Sequence, residues 1–296
     1  MQVFNIGSIN VDHVYAVDHF VRPGETLASL KYDVFAGGKG FNQSIALGRA
    51  GAVTRHAGKV GKDATWLLDR LQREGVDVTS VEVTETPTGH AMIQVTPSGE
   101  NAIVLHGGAN RTVREADVDR ALLPCSPGDY LLLQNEISSV AAALRKGREH
   151  ALKVVFNPAP MDPTIRDYPL DCVDLFILNE TEAEGLTGKR TLEEVRVAMC
   201  RQFPRAATVL TLGSRGAAYF DAETLHRQPA LAVNAVDTTA AGDTFIGYFL
   251  AEIMRSADPA RALALGCRAG AICVTRAGAA ESIPFRKEVD ELQVVD

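Results

Sequence analysis

Residues Ala235-Val236-Asp237-Thr238-Thr239-Ala240-Ala241-Gly242-Asp243-Thr244-Phe245 place a carboxylate directly after a run of small side chains. The run leads into an Ala-rich helical stretch over 241–255. A helix start exposes unpaired N–H groups at the positive end of the helix dipole. Ala and Gly let an anion come close to those donors. Asp243 in the first turn is then placed to accept the proton of an attacking hydroxyl beside a bound phosphate. The same residues also read as a helix N-cap carboxylate after a small-residue turn. Taken alone, the two readings are balanced.

Four further groups carry chemistry. Gly37-Gly38-Lys39-Gly40-Phe41-Asn42-Gln43 is either a tight turn before a helix or a close backbone approach to a small polar ligand, with Asn42 adding hydrogen bonds. Asn10 and Asp12 alternate just past an apolar strand, which suits sugar hydroxyls, although Asn and Asp also mark turns. Asn179-Glu180-Thr181-Glu182 follows another apolar strand; it could hold water on magnesium or cap a helix. Thr211-Leu212-Gly213-Ser214-Arg215-Gly216 is a plain β-turn or a nucleotide loop. Several common motifs are missing: G-x-x-x-x-G-K-[ST], G-x-G-x-x-G after the first strand, H-E-x-x-H and G-x-S-x-G. The seven histidines are scattered and read as structural or surface residues.

The elements that must position these groups follow from periodicity. Val3–Ile6 reads as a buried first strand, 41–50 as a helix, and 63–74 as a helix with Trp66, Leu67 and Leu71 on one face. Two β-rich runs flank Pro97-Ser98-Gly99-Glu100, so 90–106 reads as a hairpin. From 130 onward, short strands around 131–133, 154–156, 175–178 and 208–212 alternate with helices at 138–151 and 191–203. Helices near 241–255 and 258–274 close the chain. Such alternation predicts a parallel sheet covered by helices on both faces. The expected organisation is a single α/β domain over 1–296, with β insertions at roughly 13–35 and 88–108 placed to act as a lid.

Bulk properties narrow the partners. The chain has 296 residues and a net charge of −7, so it lacks the broad basic face that nucleic acid or anionic lipid would need. The five cysteines form no Cys-x-x-Cys pair, which suits reduced thiols in a cytoplasmic protein. No signal peptide and no membrane span are expected.

The groups above, in this order and together with Asn157-Pro158-Ala159-Pro160, resemble the ribokinase family of carbohydrate kinases over essentially the whole chain. They are closer to its ribokinase branch than to the fructokinase or adenosine kinase branches. The resemblance implies a three-layer α/β/α sandwich with a mostly parallel central sheet and a small β lid. It implies transfer of the ATP γ-phosphoryl group to the 5-hydroxyl of a pentose, with Asp243 as base. Asn10, Asp12, Gly38, Lys39, Gly40, Asn42 and Glu136 would hold the sugar, together with Asp243. Asn179, Thr211, Leu212, Gly213, Ser214, Arg215, Gly216, Gly242 and Cys267 would hold ATP. Glu182 matches an acid linked to Mg²⁺. Asp237, Thr239, Cys273, Arg276, Gly278 and Ser282 match an activating K⁺ site built largely from carbonyls. Members of the family form homodimers through the lid.

Four positions depart from the family pattern: Phe41 and Ile246 stand where smaller or more polar residues are usual, Asn135 precedes Glu136 where Leu is common, and Cys267 falls where a polar residue near adenine is usual. Phe41 beside the sugar is expected to narrow the pocket. Deoxyribose, another sugar or a nucleoside is therefore the alternative acceptor, and a sugar-binding sensor without catalysis is the alternative outside enzymes.

Overall fold

The computed structural model describes residues 1–292. In chain order its strands are β1 (Val3–Ile6), β2 (Asn10–Ala16), β3 (Lys31–Gly37), β4 (Thr54–Gly61), β5 (Asp77–Thr84), β6 (Gly89–Val95), β7 (Asn101–His106), β8 (Tyr130–Gln134), β9 (Lys153–Asn157), β10 (Leu175–Asn179), β11 (Ala207–Thr211), β12 (Ala217–Phe220) and β13 (Leu225–Gln228). The α-helices are α1 (Lys39–Arg49), α2 (Trp66–Arg73), α3 (Glu115–Leu122), α4 (Val140–Glu149), α5 (Glu180–Thr187), α6 (Leu192–Gln202), α7 (Ala241–Ser256), α8 (Pro259–Val274) and α9 (Arg286–Glu291).

The larger sheet runs β13-β12-β11-β10-β9-β8-β1-β4-β5. All pairings from β11 to β5 are parallel, and β12 and β13 add an antiparallel edge. The inner residues of β8 to β11 are buried on both faces, which is why these parallel strands read as short apolar runs. Along β8 to β10 the side chains alternate between two cores. Leu131, Leu133, Val154, Phe156, Phe176 and Leu178 pack with residues of α3, α4, α5 and α6. Leu132, Val155, Leu175 and Ile177 pack on the other side with Phe245, Phe249 and Leu250 of α7 and Leu263 of α8. The result is the three-layer α/β/α sandwich that the sequence predicts.

The second sheet has four strands in the order β3-β2-β6-β7. It begins where the chain leaves β1: residues 7–9 cross over, and β2 pairs antiparallel with β3 and parallel with β6. Asn10 and Asp12 therefore lie at the start of β2, one on each side of the buried Val11, rather than at the end of β1.

Several expectations are corrected here. Trp66 does not share the buried face of Leu67 and Leu71; it is 42% exposed, and the 63–74 stretch splits into a 3₁₀ turn over Lys62–Ala64 followed by α2. Phe41 does not face the site. Its ring is fully buried in the core among residues such as Ile9, Val11 and Ile45, so it narrows no pocket. Among the described residues no helix is long and apolar enough to cross a membrane.

Candidate active site

Asp243 lies in the first turn of α7 and is 7% exposed. The helix starts from Ala240, whose backbone is left-handed at φ 58°, with no side chain capping it. The Ala241 N–H donates to the Thr238 carbonyl at 3.3 Å, which leaves the Gly242 and Asp243 N–H groups for a ligand. Nothing stands within 4 Å of the space that a side chain on Gly242 would enter, so an anion has room there.

Two helices converge on the carboxylate. Asn42 Nδ2 of α1 donates to Asp243 Oδ2 at 3.2 Å, and Gln43 Nε2 donates to Oδ1 at 2.8 Å. The nearby negative charge of Asp243, more than any other group, raises the pKa of the Lys39 ammonium, against the opposing effect of burial. Lys39, Asp243, Gly242, Asn179, Glu182 and Ile246 line one small polar cavity of about 230 Å³.

A larger, mostly apolar cavity of about 580 Å³ adjoins it. Thr211, Gly213, Ser214 and Gly216 form one wall, and Gly266, Cys267 and Gly270 of α8 form another. Thr211, Thr238 and Gly242 belong to both cavities. An apolar slot that opens onto a helix N-terminus suits a planar base joined to a chain of phosphates. Burial pushes the Cys267 thiol up to about 12, so it contributes shape and not a nucleophile.

Two residues expected on this wall lie elsewhere. Leu212 turns away and packs against the hydrophobic core, and the Arg215 guanidinium pairs with Glu180. Both line neither cavity, because the backbone of the turn, and not every side chain on it, faces the slot. The opposite wall, Ala230 to Val233 with Ala235, escaped the sequence reading because a short apolar loop has no periodicity.

Asn179 and Glu182 meet the helix-cap reading of the sequence. They form a reciprocal cap at the start of α5: Asn179 Oδ1 accepts from the Glu182 N–H at 2.8 Å, and Glu182 Oε2 accepts from the Asn179 N–H at 2.9 Å. Asn179 Nδ2 also donates to Glu182 Oε1 at 2.9 Å, and Asn157 Nδ2 donates to Oε2 at 3.3 Å. Burial raises the Glu182 carboxyl above its usual range, opposed by these donors. With both oxygens already engaged, the carboxylate fits a role through water better than direct ligation of a metal.

On the side facing the second sheet, Glu136 accepts from the Ser8 hydroxyl and from the Lys39 backbone N–H at 2.9 Å. Asn10 Oδ1 accepts from Asn110 Nδ2 at 2.7 Å. Burial, followed by the negative charges of Glu136 and Glu281, pushes the Asp12 carboxyl up to about 6. Gly38 has φ 92°, and a side chain there would press within 3.1 Å of Asn10 N and Ser8 Oγ. Gly40 serves packing: a Cβ on it would collide with the Gly7–Ser8 backbone, so it lets α1 sit on the β1–β2 crossover. Tyr168 accounts for Asn135, whose Oδ1 accepts its hydroxyl at 3.0 Å.

The six residues matched to a monovalent cation lie around the start of α7. Asp237 Oδ1 accepts from the Thr239 N–H at 2.8 Å, and Oδ2 accepts from the Gly278 N–H at 3.0 Å. Burial works against the Asp237 carboxylate, but these hydrogen bonds outweigh it and hold the pKa below the usual value. Cys273 Sγ lies 3.7 Å from the Thr239 carbonyl oxygen and 3.1 Å from Ser282 Oγ. Arg276 contributes backbone at most, since its guanidinium pairs with Glu288. The segments 237–239 and 273–282 are thereby tied together at the start of α7, with the carboxylates of Asp237 and Glu281 among them.

Comparison with known proteins identifies the family. Residues 2–286 match the description "pfkB family carbohydrate kinase". A ribokinase of Haemophilus influenzae is 38% identical over 295 residues, covering 97% of this chain and 96% of that protein. The ribokinase of Cryptococcus neoformans, solved with ADP, superposes with a TM-score of 0.85 at 32% identity, covering 98% of this chain and 99% of its own. The ribokinase of Arabidopsis thaliana, solved with ribose and ATP, gives a TM-score of 0.85 at 28% identity and covers 98% and 97%.

Proposed function

Because the chain belongs to the pfkB family of carbohydrate kinases, we propose that it transfers the γ-phosphoryl group of ATP to the 5-hydroxyl of D-ribose, giving D-ribose 5-phosphate and ADP. The observation that carries this reading is the position of Asp243. Its carboxylate borders the polar cavity, beside the open N-terminus of α7, where the apolar slot begins.

ATP lies with its base in the apolar slot and its phosphates at Gly242. Ribose lies between Asp243 and the cluster of Asn10, Asp12, Gly38, Lys39, Asn42 and Glu136. Asp243 accepts the proton of the 5-hydroxyl as its oxygen attacks the γ-phosphorus. The N–H groups of the α7 start and the Lys39 ammonium take up charge on the transferring group. Asn42 both holds Asp243 and faces the sugar.

Magnesium, carried in with ATP, would neutralise phosphate charge, and Glu182 would orient water on it. A potassium-like ion held by the carbonyls of Asp237, Thr239, Cys273, Arg276, Gly278 and Ser282 would fix the α7 start in its anion-binding shape. The β2, β3, β6 and β7 sheet acts as a lid over the sugar. Met92, Ile103, Val104 and Leu105 are exposed on it, which supports a homodimer through the lid. The five free cysteines support a cytoplasmic location.

A panel of ribose, deoxyribose, other pentoses and nucleosides, ranked by kcat/KM through ADP formation, tests the acceptor. Ribose ranks first on this reading. Turnover confined to a nucleoside or to deoxyribose would replace ribose as the acceptor. Sugar-induced stabilisation without any ADP would favour a sensor.

A further inference from the structure

We propose that Gln43 is a positioning residue for phosphoryl transfer, turned with its NH₂ group towards Asp243 by a chain of buried amides of fixed polarity. The inference rests on Asp243 being the base. Gln43 is fully buried and reaches neither cavity, so its role is exerted through Asp243.

The polarity follows from the two ends of the chain. At one end Asn5 Nδ2 donates to the Gly40 carbonyl at 2.7 Å and to Ser44 Oγ at 2.8 Å. A carbonyl only accepts, so Asn5 must offer its Oδ1 in the other direction. At the other end stands the Asp243 carboxylate, which also only accepts while ionised. Two acceptor ends require one residue in the middle that donates both ways.

Gln134 is that residue. Its single NH₂ group donates to Asn5 Oδ1 at 3.0 Å and to Gln43 Oε1 at 2.6 Å. Gln43 Oε1 is thereby occupied, and its Nε2 is free to donate to Asp243 Oδ1 at 2.8 Å and to Asn157 Oδ1 at 3.2 Å. The arrangement leaves Gln134 Oε1 buried with no partner. An unpaired buried carbonyl opposes folding, so the chain gains nothing in stability from it. What it secures is a donor, and never a lone pair, against one oxygen of the base. The other oxygen is held only by Asn42, so the syn and anti lone pairs of the carboxylate keep a fixed direction towards the acceptor hydroxyl.

The test compares Gln43→Met, Gln134→Met, Gln134→Glu and Asp243→Asn by steady-state kinetics and thermal melting. Gln43→Met keeps the volume and loses the donor; it should lower kcat about a hundredfold while the KM values for ribose and ATP stay within about threefold. Once ionised, the carboxylate of Gln134→Glu only accepts, so Gln43 turns and presents its carbonyl to Asp243. Its kcat should fall at least about tenfold further than that of Gln134→Met, although both melt below the wild type. Equal losses of kcat in the two Gln134 variants, following their melting temperatures, would show a merely structural role. So would a Gln43→Met enzyme with near-normal kcat or a loss confined to KM. If Gln43→Met fails to fold, the Gln134 pair decides. Asp243→Asn separates the two ideas: near-normal turnover there overturns the base assignment and this inference with it, whereas an inactive Asp243→Asn beside an active Gln43→Met overturns this inference alone.

Discussion

The backbone N–H of Lys39 donates to the Glu136 carboxylate at 2.9 Å, while the Lys39 ammonium responds chiefly to the charge of Asp243. One residue at the start of α1 thus connects the sugar-side carboxylates with the reacting end of the site. Its backbone fixes Glu136, and the charge of Glu136 acts in turn on Asp12.

That arrangement predicts a pH dependence for sugar binding. Asp12 has its carboxyl pushed up to about 6, first by burial and then by Glu136 and Glu281. As an acceptor of sugar hydroxyls it must be ionised, so the ribose KM should rise as pH falls below about 6. The same shift has a sign for stability. A carboxyl raised in the folded state is unfavourable once ionised, so its penalty is absent below the unfolded value of 3.8 and grows as pH rises through about 6. Asp12→Asn should therefore raise Tm at pH 8, leave it unchanged near pH 3.5, and flatten the acid rise in KM. A melting temperature lowered at pH 8 would contradict the burial argument.

Gly242→Ala should separate stability from activity. No atom stands within 4 Å of the added methyl group, and alanine favours helix over glycine by up to about 1 kcal/mol in a helix interior, with less expected in a first turn. Melting should show equal or higher stability. The methyl group would occupy the space taken by the phosphates, so kcat/KM for ATP should fall by at least about tenfold. Unchanged ATP kinetics would place the phosphates elsewhere.

Cys267→Phe should act on one substrate alone. Position 267 lines the apolar slot, whose lining includes none of Asn10, Asp12 and Glu136. A ring there fills part of a cavity of about 580 Å³. Isothermal titration should show weaker ATP binding by about tenfold with ribose binding retained, since the loss lies in shape and not in charge. Equal weakening of both ligands would argue against the slot as the base site.

How much of this was legible in the sequence depended on what each residue faces. Strands β8 to β11 were legible because burial on both faces makes them unbroken apolar runs, and α7 and α8 because small apolar residues recur along them. Strand β4, Thr54–Gly61, was not, because its buried positions include His56 and Lys59, which carry no apolar period. Asp243, Asn42 and Glu182 stand in motifs that mark them as candidates, and the structure brings Asp243 and Glu182 to one cavity, with Asn42 bonded to Asp243. Gln43 stands beside Asn42 in the same motif, but nothing in a linear string shows that it points at Asp243. The signal existed in Asn5, an amide inside the apolar strand Val3–Ile6, and in Gln134 at the end of another; buried amides imply partners. Phe41 was misplaced for the opposite reason. Lys39 and Asn42 face the site, but helical geometry turns Phe41 into the core.

The account turns most directly on Asp243→Asn. The substitution keeps the size of the side chain and the open start of α7, and removes the proton acceptor. ATP binding by titration should stay within about threefold of the wild type, while kcat with ribose falls by about two to four orders of magnitude. Turnover near the wild-type rate in a folded variant that binds ATP would contradict the role assigned to this carboxylate.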